Sequence, residues 1–191
     1  MVPWFNKLTP GFLYSSVQCN KGYGASLHVD GNNAGPSAIV SLGNHSGGGL
    51  WVWDDKGDTV ITAEKDVAEW CKKGDRITGR VLDIHDRLTI IDGCRPHQVM
   101  PFDGERYSLV FFCASSCRYA TVAQKAELTN LGFRVPEART LDMMRTGMGI
   151  YQPVILHDPG NLAQPIERRF VEPGKIDQAR RERFVLLGLR R

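Results

Sequence analysis

Short apolar runs separated by turn residues constrain the fold of this chain more than any other feature of its sequence. The runs are rich in β-branched and aromatic residues, and glycine, asparagine or aspartate separates most of them. Short strands at even spacing are typical of an antiparallel sandwich or jelly roll. The predicted strands are 11–14, 25–27, 37–42, 50–53, 59–62, 77–84, 87–91, 98–100 and 107–113. Strands 50–53 and 59–62 are expected to form a hairpin across the turn at 54–58.

The composition changes near Tyr119, where helical segments replace the strand-like runs. Segments 120–131 and 137–144 have helical composition and are separated by Pro136, and a last helix is predicted at 175–187. We therefore expect one domain of 191 residues, mainly β with C-terminal helices. Its predicted parts are a lead-in (1–24), a β-rich core (25–115) and a helical and irregular C-terminal extension (116–191).

Composition and charge exclude several classes of protein. No apolar run is long enough to span a membrane and the first residues lack a signal-peptide pattern, so we expect a soluble, intracellular protein. The five cysteines include no Cys-x-x-Cys pair, which argues against a zinc finger and favours free thiols. The net charge is only +3, but eight Arg or Lys residues stand against four Asp or Glu from Glu167 onwards. This basic end is a candidate phosphate-binding element.

Three residues form a candidate metal site. His28 and Asp30 are separated by one residue, and His97 follows after a long insert. Residues i and i+2 of a strand share a face, so His28 and Asp30 are expected to point the same way from a strand. Two imidazoles and one carboxylate occupy one face of an iron octahedron in non-haem Fe(II) oxygenases and leave three positions open.

A second pair of residues is suited to binding a carboxylate. Arg106 and Ser108 are again two residues apart, in a run that is predicted to be a buried strand. A guanidinium grips a carboxylate through two parallel hydrogen bonds, and a serine hydroxyl adds a donor. The pair therefore fits the distal carboxylate of 2-oxoglutarate.

Together these residues resemble the Fe(II)/2-oxoglutarate-dependent dioxygenases, and within them the TET/JBP branch that oxidises methyl groups of nucleic-acid bases. The segments that carry the resemblance are 27–43, 47–51 and 97–112, within roughly residues 23 to 115. The resemblance implies a double-stranded β-helix core (jelly-roll, cupin-like). It also implies that His28, Asp30 and His97 are the catalytic metal ligands, and that Arg106 and Ser108 bind the cosubstrate.

The activity that the resemblance implies is hydroxylation of the methyl group of 5-methylcytosine, or of thymine, in DNA. The implied cofactors are Fe(II) and 2-oxoglutarate, with ascorbate as a reductant. The implied partner is therefore DNA, and a monomer that is nuclear in a eukaryote is favoured. Ala114 departs from the branch, which has a base-contacting histidine at the matching position, so thymine, an RNA base or no base at all remain alternatives.

Four further residues are candidates for substrate binding: Asn33, Asn32, His45 and Trp51. Asn33 matches an asparagine that contacts the target base in TET-like enzymes, and Asn32 is a weaker candidate of the same kind. Turn chemistry in the segment 31–33 explains the asparagines equally well. For Trp51 a place in an aromatic core is the stronger alternative, and for His45 a solvent-exposed loop.

Three other functions remain open. A peptide hydroxylase of the prolyl type shares the His-x-Asp pattern, but a lysine usually holds its cosubstrate, and Arg106 argues against it. A small-molecule 2-oxoglutarate oxygenase would keep every residue of the site. A cupin-like binding module without catalysis would be expected to lose a ligand, whereas this chain retains His28, Asp30 and His97.

Overall fold

A computed structural model describes residues 2–146 and 154–157, which are mainly β. The helices are α1 (Val2–Leu8), α2 (Val122–Asn130) and α3 (Ala138–Thr146), with a 3₁₀ helix at Ser115–Tyr119. The strands are β1 (Ser16–Lys21), β2 (Asn33–Leu42), β3 (His45–Gly47), β4 (Leu50–Trp53), β5 (Thr59–Thr62), β6 (Arg76–Leu82), β7 (Leu88–Ile91), β8 (His97–Val99), β9 (Phe102–Gly104), β10 (Tyr107–Ala114) and β11 (Val154–His157).

Antiparallel sheets form a curled half-barrel. The larger sheet has the order β1-β10-β2-β7-β11, and a four-stranded sheet has the order β5-β6-β4-β8. A two-stranded sheet joins β3 to β9. In the larger sheet, β10 lies between β1 and β2, so Ser108 stands opposite Asn20 on one side and Ser41 on the other.

Strands β2 and β4 are buried on both faces, so apolar clusters lie on both sides of each strand. On β2, Ala38 and Val40 pack into one cluster with α1, while Ile39 packs on the opposite face against β4. On β4, Leu50 and Val52 share that central cluster, and the intervening Trp51 faces a separate cluster. Because both faces of these strands are buried, their apolar residues are consecutive in sequence and do not alternate with polar residues.

The N-terminal segment belongs to the fold rather than leading into it. Phe5 of α1 is fully buried and its ring stacks on that of Phe111 with centroids 3.7 Å apart. Strand β1 pairs along β10 from Ser16 to Lys21. Sequence predicts an early strand at 11–14, but there only Tyr14 forms a backbone bridge, to Arg134. The regular strand begins two residues later, at Ser16.

The predicted hairpin of 50–53 with 59–62 is wrong. Strand β6 lies between β4 and β5 and pairs with both, so the connection at 54–58 crosses β6 at Gly79 instead of closing a hairpin. Close packing makes this possible, because Gly57 approaches the backbone of Gly79 so nearly that any side chain would clash.

The two helices expected after residue 119 are confirmed within two residues at each end by α2 and α3. The helix predicted at 175–187 and the basic end lie outside the described residues. Within the described segments, no helix combines the length and apolar character that crossing a membrane requires.

Candidate metal centre

Backbone pairing brings the two histidines of the triad together. His28 and His97 face each other in an isolated antiparallel bridge, with His28 N–H donating to His97 O at 3.1 Å and His97 N–H to His28 O at 3.0 Å. Asp30 N–H donates to the carbonyl of Gly93 at 2.8 Å. These three bonds tie residues 28–30 to residues 93–97, which are distant in sequence.

The expected strand placement of His28 and Asp30 is wrong, although the two side chains do meet. Only His28 takes part in a bridge, and Asp30 precedes a turn that ends at the start of β2. Their proximity therefore comes from the bonds to His97 and Gly93, not from the repeat of a regular strand.

Both imidazoles are oriented by backbone carbonyls. His28 Nδ1 lies 2.7 Å from Ser26 O, and His97 Nδ1 lies 2.9 Å from Arg95 O. A carbonyl oxygen only accepts, so Nδ1 carries the hydrogen in each ring. In the neutral form of each ring, Nε2 then carries a lone pair, which is the tautomer that a metal-binding histidine needs.

The free ligand atoms converge. His28 Nε2 lies 3.5 Å from Asp30 Oδ1, and His97 Nε2 lies 3.9 Å from Asp30 Oδ2. One ligand atom from each residue lies within 4.8 Å of the others, which is the arrangement of a candidate metal site. Ligands about 2.1 Å from one ion and at right angles are about 3 Å apart, so the three side chains must move closer together when an ion binds.

Burial differs across the triad. The His97 side chain is 8 % exposed, whereas those of His28 and Asp30 are 35 % and 29 % exposed. The hydrogen bond to Asp30 raises the pKa of His28 although burial opposes it. Burial and the neighbouring His28 lower the pKa of His97, which favours the neutral form that binds metal. The centre thus has a buried floor and a side open to solvent.

The carboxylate of Asp30 is held by its own turn. Asn33 Nδ2 donates to Asp30 Oδ2 at 2.9 Å and to Ser37 Oγ at 3.1 Å. The thiol of Cys94 donates to Asp30 O at 3.1 Å. Burial and nearby aspartates raise the pKa of Cys94 to about 12, so the sulfur remains a protonated thiol, and the candidate ligand set does not include it.

A buried arginine forms a second polar site, here called the arginine pocket. Its members are Arg106, Gly48, Phe102 and the carbonyl group of Tyr23. Arg106 is 1 % exposed, and its Nε and Nη2 atoms have no hydrogen-bond partner among residues 2–146 and 154–157. Burial lowers the pKa of this guanidinium. Unpaired donors in a buried cation are costly, and an anion would satisfy them.

Ser108 is prepared to donate a hydrogen bond. Its hydroxyl oxygen accepts from Asn20 Nδ2 at 3.1 Å, and the side chain is 5 % exposed. Asn20 in turn is oriented by Gln18, whose Nε2 donates to Asn20 Oδ1 at 2.9 Å. Because the hydroxyl already accepts one bond, its hydrogen remains for an acceptor such as a carboxylate.

The four candidate substrate residues lie in different surroundings. Asn32 is exposed in the turn, and Asn33 is 6 % exposed with its amide directed to Asp30. His45 is 8 % exposed and stacks on His85 with centroids 4.0 Å apart. Trp51 has no exposed surface, and its indole N–H donates to Thr59 O at 3.1 Å.

These placements separate the alternatives that the sequence left open. The turn interpretation of 31–33 is confirmed, since Asn33 N–H closes onto Asp30 O at 3.2 Å. Trp51 belongs to the core and has no surface left for a substrate. His45 is buried in β3 instead of lying in an exposed loop. A substrate contact by Asn33 stays a prediction, which its internal hydrogen bonds disfavour.

Sequence reasoning missed the groups that support the ligands. The carbonyls of Ser26 and Arg95 carry no side-chain signal. Ser37 lies within segment 27–43 but was not singled out, and Gly93 lies outside the segments that carry the resemblance. The spacing of Asn33 three residues after Asp30 was a usable signal, because asparagine at that distance can return to a preceding carboxylate.

No family model matches the chain, and no curated protein matches it. The structure therefore defines a mainly β protein with a candidate metal site formed by His28, Asp30 and His97.

Proposed function

We propose that this chain is an Fe(II)- and 2-oxoglutarate-dependent dioxygenase with a double-stranded β-helix core. The observation that carries the proposal is the converging triad, in which both imidazoles use Nδ1 for the backbone and leave Nε2 free. Two nitrogens and a carboxylate oxygen are the donor set of the facial triad that binds Fe(II). The antiparallel, curled sheets are compatible with the proposed core.

The arginine pocket supports the choice of cosubstrate. The donors of Arg106 that lack partners match the two oxygens of a carboxylate, and the Ser108 hydroxyl can supply a further donor. In the proposed complex the triad leaves two adjacent positions for the 2-oxo acid end, while Arg106 holds the other carboxylate. Ascorbate is proposed as the reductant that keeps iron in the ferrous state.

The proposed reaction uses the protein for binding and positioning. Fe(II), 2-oxoglutarate and dioxygen supply the oxidising chemistry that converts a substrate C–H bond into C–OH, with succinate and carbon dioxide as coproducts. His28, Asp30 and His97 fix three adjacent coordination positions, so the open positions lie together. The exposed side of His28 and Asp30 is the proposed entry for substrate, and buried His97 shields the opposite side from water.

The proposed substrate is the methyl group of 5-methylcytosine, or of thymine, in DNA. Support for this part comes from the sequence resemblance and from the excess of arginine after Glu167. Over residues 2–146 the Lys and Arg residues equal the Asp and Glu residues in number, so the whole net positive charge belongs to residues after 146. A flipped nucleotide would reach the exposed side of the triad, with the basic end contacting phosphates.

Mass spectrometry of nucleosides tests the proposal. The protein is incubated with Fe(II), 2-oxoglutarate, ascorbate and methylated duplex DNA, and succinate is measured in parallel. We expect 5-hydroxymethylcytosine from the wild type and from Asp83→Ala, a variant that removes a surface carboxylate paired with Arg87 at 2.6 Å. Asp30→Ala should form neither product.

The other outcomes are equally informative. Succinate without any modified nucleoside would contradict DNA as substrate and direct the search to RNA, peptides or small molecules. Absence of succinate under all conditions would contradict the oxygenase proposal and favour a cupin-like binding module.

A further inference from the structure

The second oxygen of Asp30 lies in a small, closed cradle formed by the side chains of Asn33 and Ser37 and the backbone of Gly93. Asn33 Nδ2 lies 2.9 Å from Asp30 Oδ2 and 3.1 Å from Ser37 Oγ. Asn33 is 6 % exposed and Ser37 is fully buried. Both hydrogens of the Asn33 amide are therefore used inside the protein.

Gly93 provides the space that this cradle needs. A Cβ atom at Gly93 would lie 2.6 Å from Asp30 Oδ2, 3.1 Å from Ser37 Oγ and 3.2 Å from Asn33 Nδ2. The backbone of Gly93 does not lie in the left-handed region, so conformational freedom does not explain the glycine. Its carbonyl also receives the N–H of Asp30 at 2.8 Å. Close approach to the carboxylate is the feature that requires glycine here.

We propose that Asn33 is a positioning residue for Asp30, oriented by Ser37, and that it reserves Oδ2 as the oxygen that does not bind metal. Oδ2 lies 3.9 Å from His97 Nε2 but already accepts a hydrogen bond from the Asn33 amide, so Oδ1, which lies 3.5 Å from His28 Nε2, is then the single ligand oxygen. Hydrogen bonds to metal-binding carboxylates orient them and tune the site. The inference rests on the metal site of the proposed function and does not depend on the identity of the substrate.

One-oxygen binding has a direct chemical consequence. A carboxylate that binds through both oxygens takes an additional coordination position, and an octahedral ion with two histidines would then have only two positions left. The proposed cosubstrate alone needs two. By engaging Oδ2 in a hydrogen bond, Asn33 keeps the third position open. The same amide is thereby assigned to the metal site and not to a nucleobase.

Co(II) is a suitable probe, because its visible absorption reports coordination number without any turnover. We expect Asn33→Ala to raise the Co(II) dissociation constant about 10- to 100-fold, the usual cost of losing a group that orients a ligand. We also expect a changed absorption band. Gly93→Ala should change the same two quantities in the same direction, because its methyl group would displace Asp30 Oδ2.

Asn6→Ala is the matched control. The Asn6 amide donates to Gly132 O at 2.8 Å and its oxygen accepts from Tyr14 at 3.0 Å, far along the chain from the triad. Its loss should lower thermal stability and leave both the Co(II) dissociation constant and the spectrum unchanged. This comparison separates a role at the metal from a general effect on folding.

Three results would overturn the inference. Wild-type Co(II) affinity and spectrum in Asn33→Ala would show that the amide does not position Asp30. Unchanged metal binding with loss of methylcytosine oxidation would assign Asn33 to the substrate. If Asn33→Ala does not fold, an unaltered spectrum in Gly93→Ala has the same weight. Failure of the proposed function is distinct, since the wild type would then bind Co(II) normally and form no succinate.

Discussion

The metal triad and the arginine pocket both concentrate polar groups, but the protein satisfies them to different degrees. In the triad each imidazole has a backbone acceptor and Asp30 has the Asn33 amide. In the arginine pocket a guanidinium that is 1 % exposed retains two nitrogen atoms that no group in the described part of the chain satisfies. The protein's own hydrogen bonds thus orient the side chains of the triad, whereas two donors of Arg106 in the arginine pocket still need an acceptor.

The difference separates two effects: the triad is preoriented for metal binding, whereas the arginine pocket lowers the stability of the folded protein. A preoriented ligand set costs little on binding because its side chains are already fixed. A buried cation without acceptors destabilises the folded protein until an anion arrives. Substitutions in the two regions should therefore differ in their effects on metal affinity, cosubstrate affinity and the free energy of unfolding.

The largest expected effect is the loss of metal binding in Asp30→Ala. Removal of the only anionic ligand should raise the Fe(II) dissociation constant by at least about 100-fold, above the range for groups that merely orient ligands. Anaerobic calorimetry with Fe(II) measures it, and Asp83→Ala serves as a control that should bind like the wild type. Tight binding by Asp30→Ala would place the metal elsewhere.

The next effect separates the two regions by ligand. Arg106→Lys keeps the positive charge but loses the planar fork, so the affinity for 2-oxoglutarate should fall about 10- to 100-fold. Fe(II) affinity should stay unchanged, as should both affinities in the surface variant Arg87→Lys. An equal dependence on 2-oxoglutarate in Arg106→Lys and the wild type would remove the arginine pocket from the cosubstrate site.

A third effect concerns stability. Without 2-oxoglutarate, Arg106→Met should raise the free energy of unfolding by about 1–3 kcal/mol, because it removes buried donors that lack acceptors. Arg134→Met is the contrasting variant. Arg134 Nη2 donates to Asn6 O at 3.0 Å, so its loss should destabilise the fold. Denaturant unfolding of both variants checks the prediction, and a destabilised Arg106→Met would mean that the guanidinium is satisfied.

The smallest effect is expected at Ser108, two residues after Arg106. Ser108→Ala removes one hydroxyl donor, worth about 1 kcal/mol, and should weaken 2-oxoglutarate binding about fivefold. Ser16→Ala, on the neighbouring strand β1, should leave the affinity unchanged. Titration of 2-oxoglutarate against succinate formation compares the two, and identical curves would contradict a role for Ser108.

The sequence predicted most of the strands but not all of their pairings. Apolar runs with β-branched residues located β2 and β10, because burial on one or both faces leaves a local signature. The pairing of β4 with β6 instead of β5 leaves none. It depends on the approach of Gly57 to Gly79, two residues from separate segments.

The candidate site shows the same division. The chemistry of His28, Asp30 and His97 was readable from residue types and order, while the way they are assembled was not. Strand periodicity predicted correctly that the side chains of His28 and Asp30 lie close together, but the two residues are not part of a regular strand. The bridge to His97 and the bond to Gly93 bring them together. The orientation of Asn33 was also beyond the sequence, because one amide suits both a carboxylate and a base.

The bridge between His28 and His97 has a further consequence for chain topology. It joins two points of the chain between which β2 to β7 are placed, and only two backbone hydrogen bonds hold it. An ion shared by both imidazoles would therefore act as a cross-link that closes a long loop, in the manner of a disulfide. Binding of the metal would then also restrict the conformations of the unfolded chain, so metal binding and folding would be coupled.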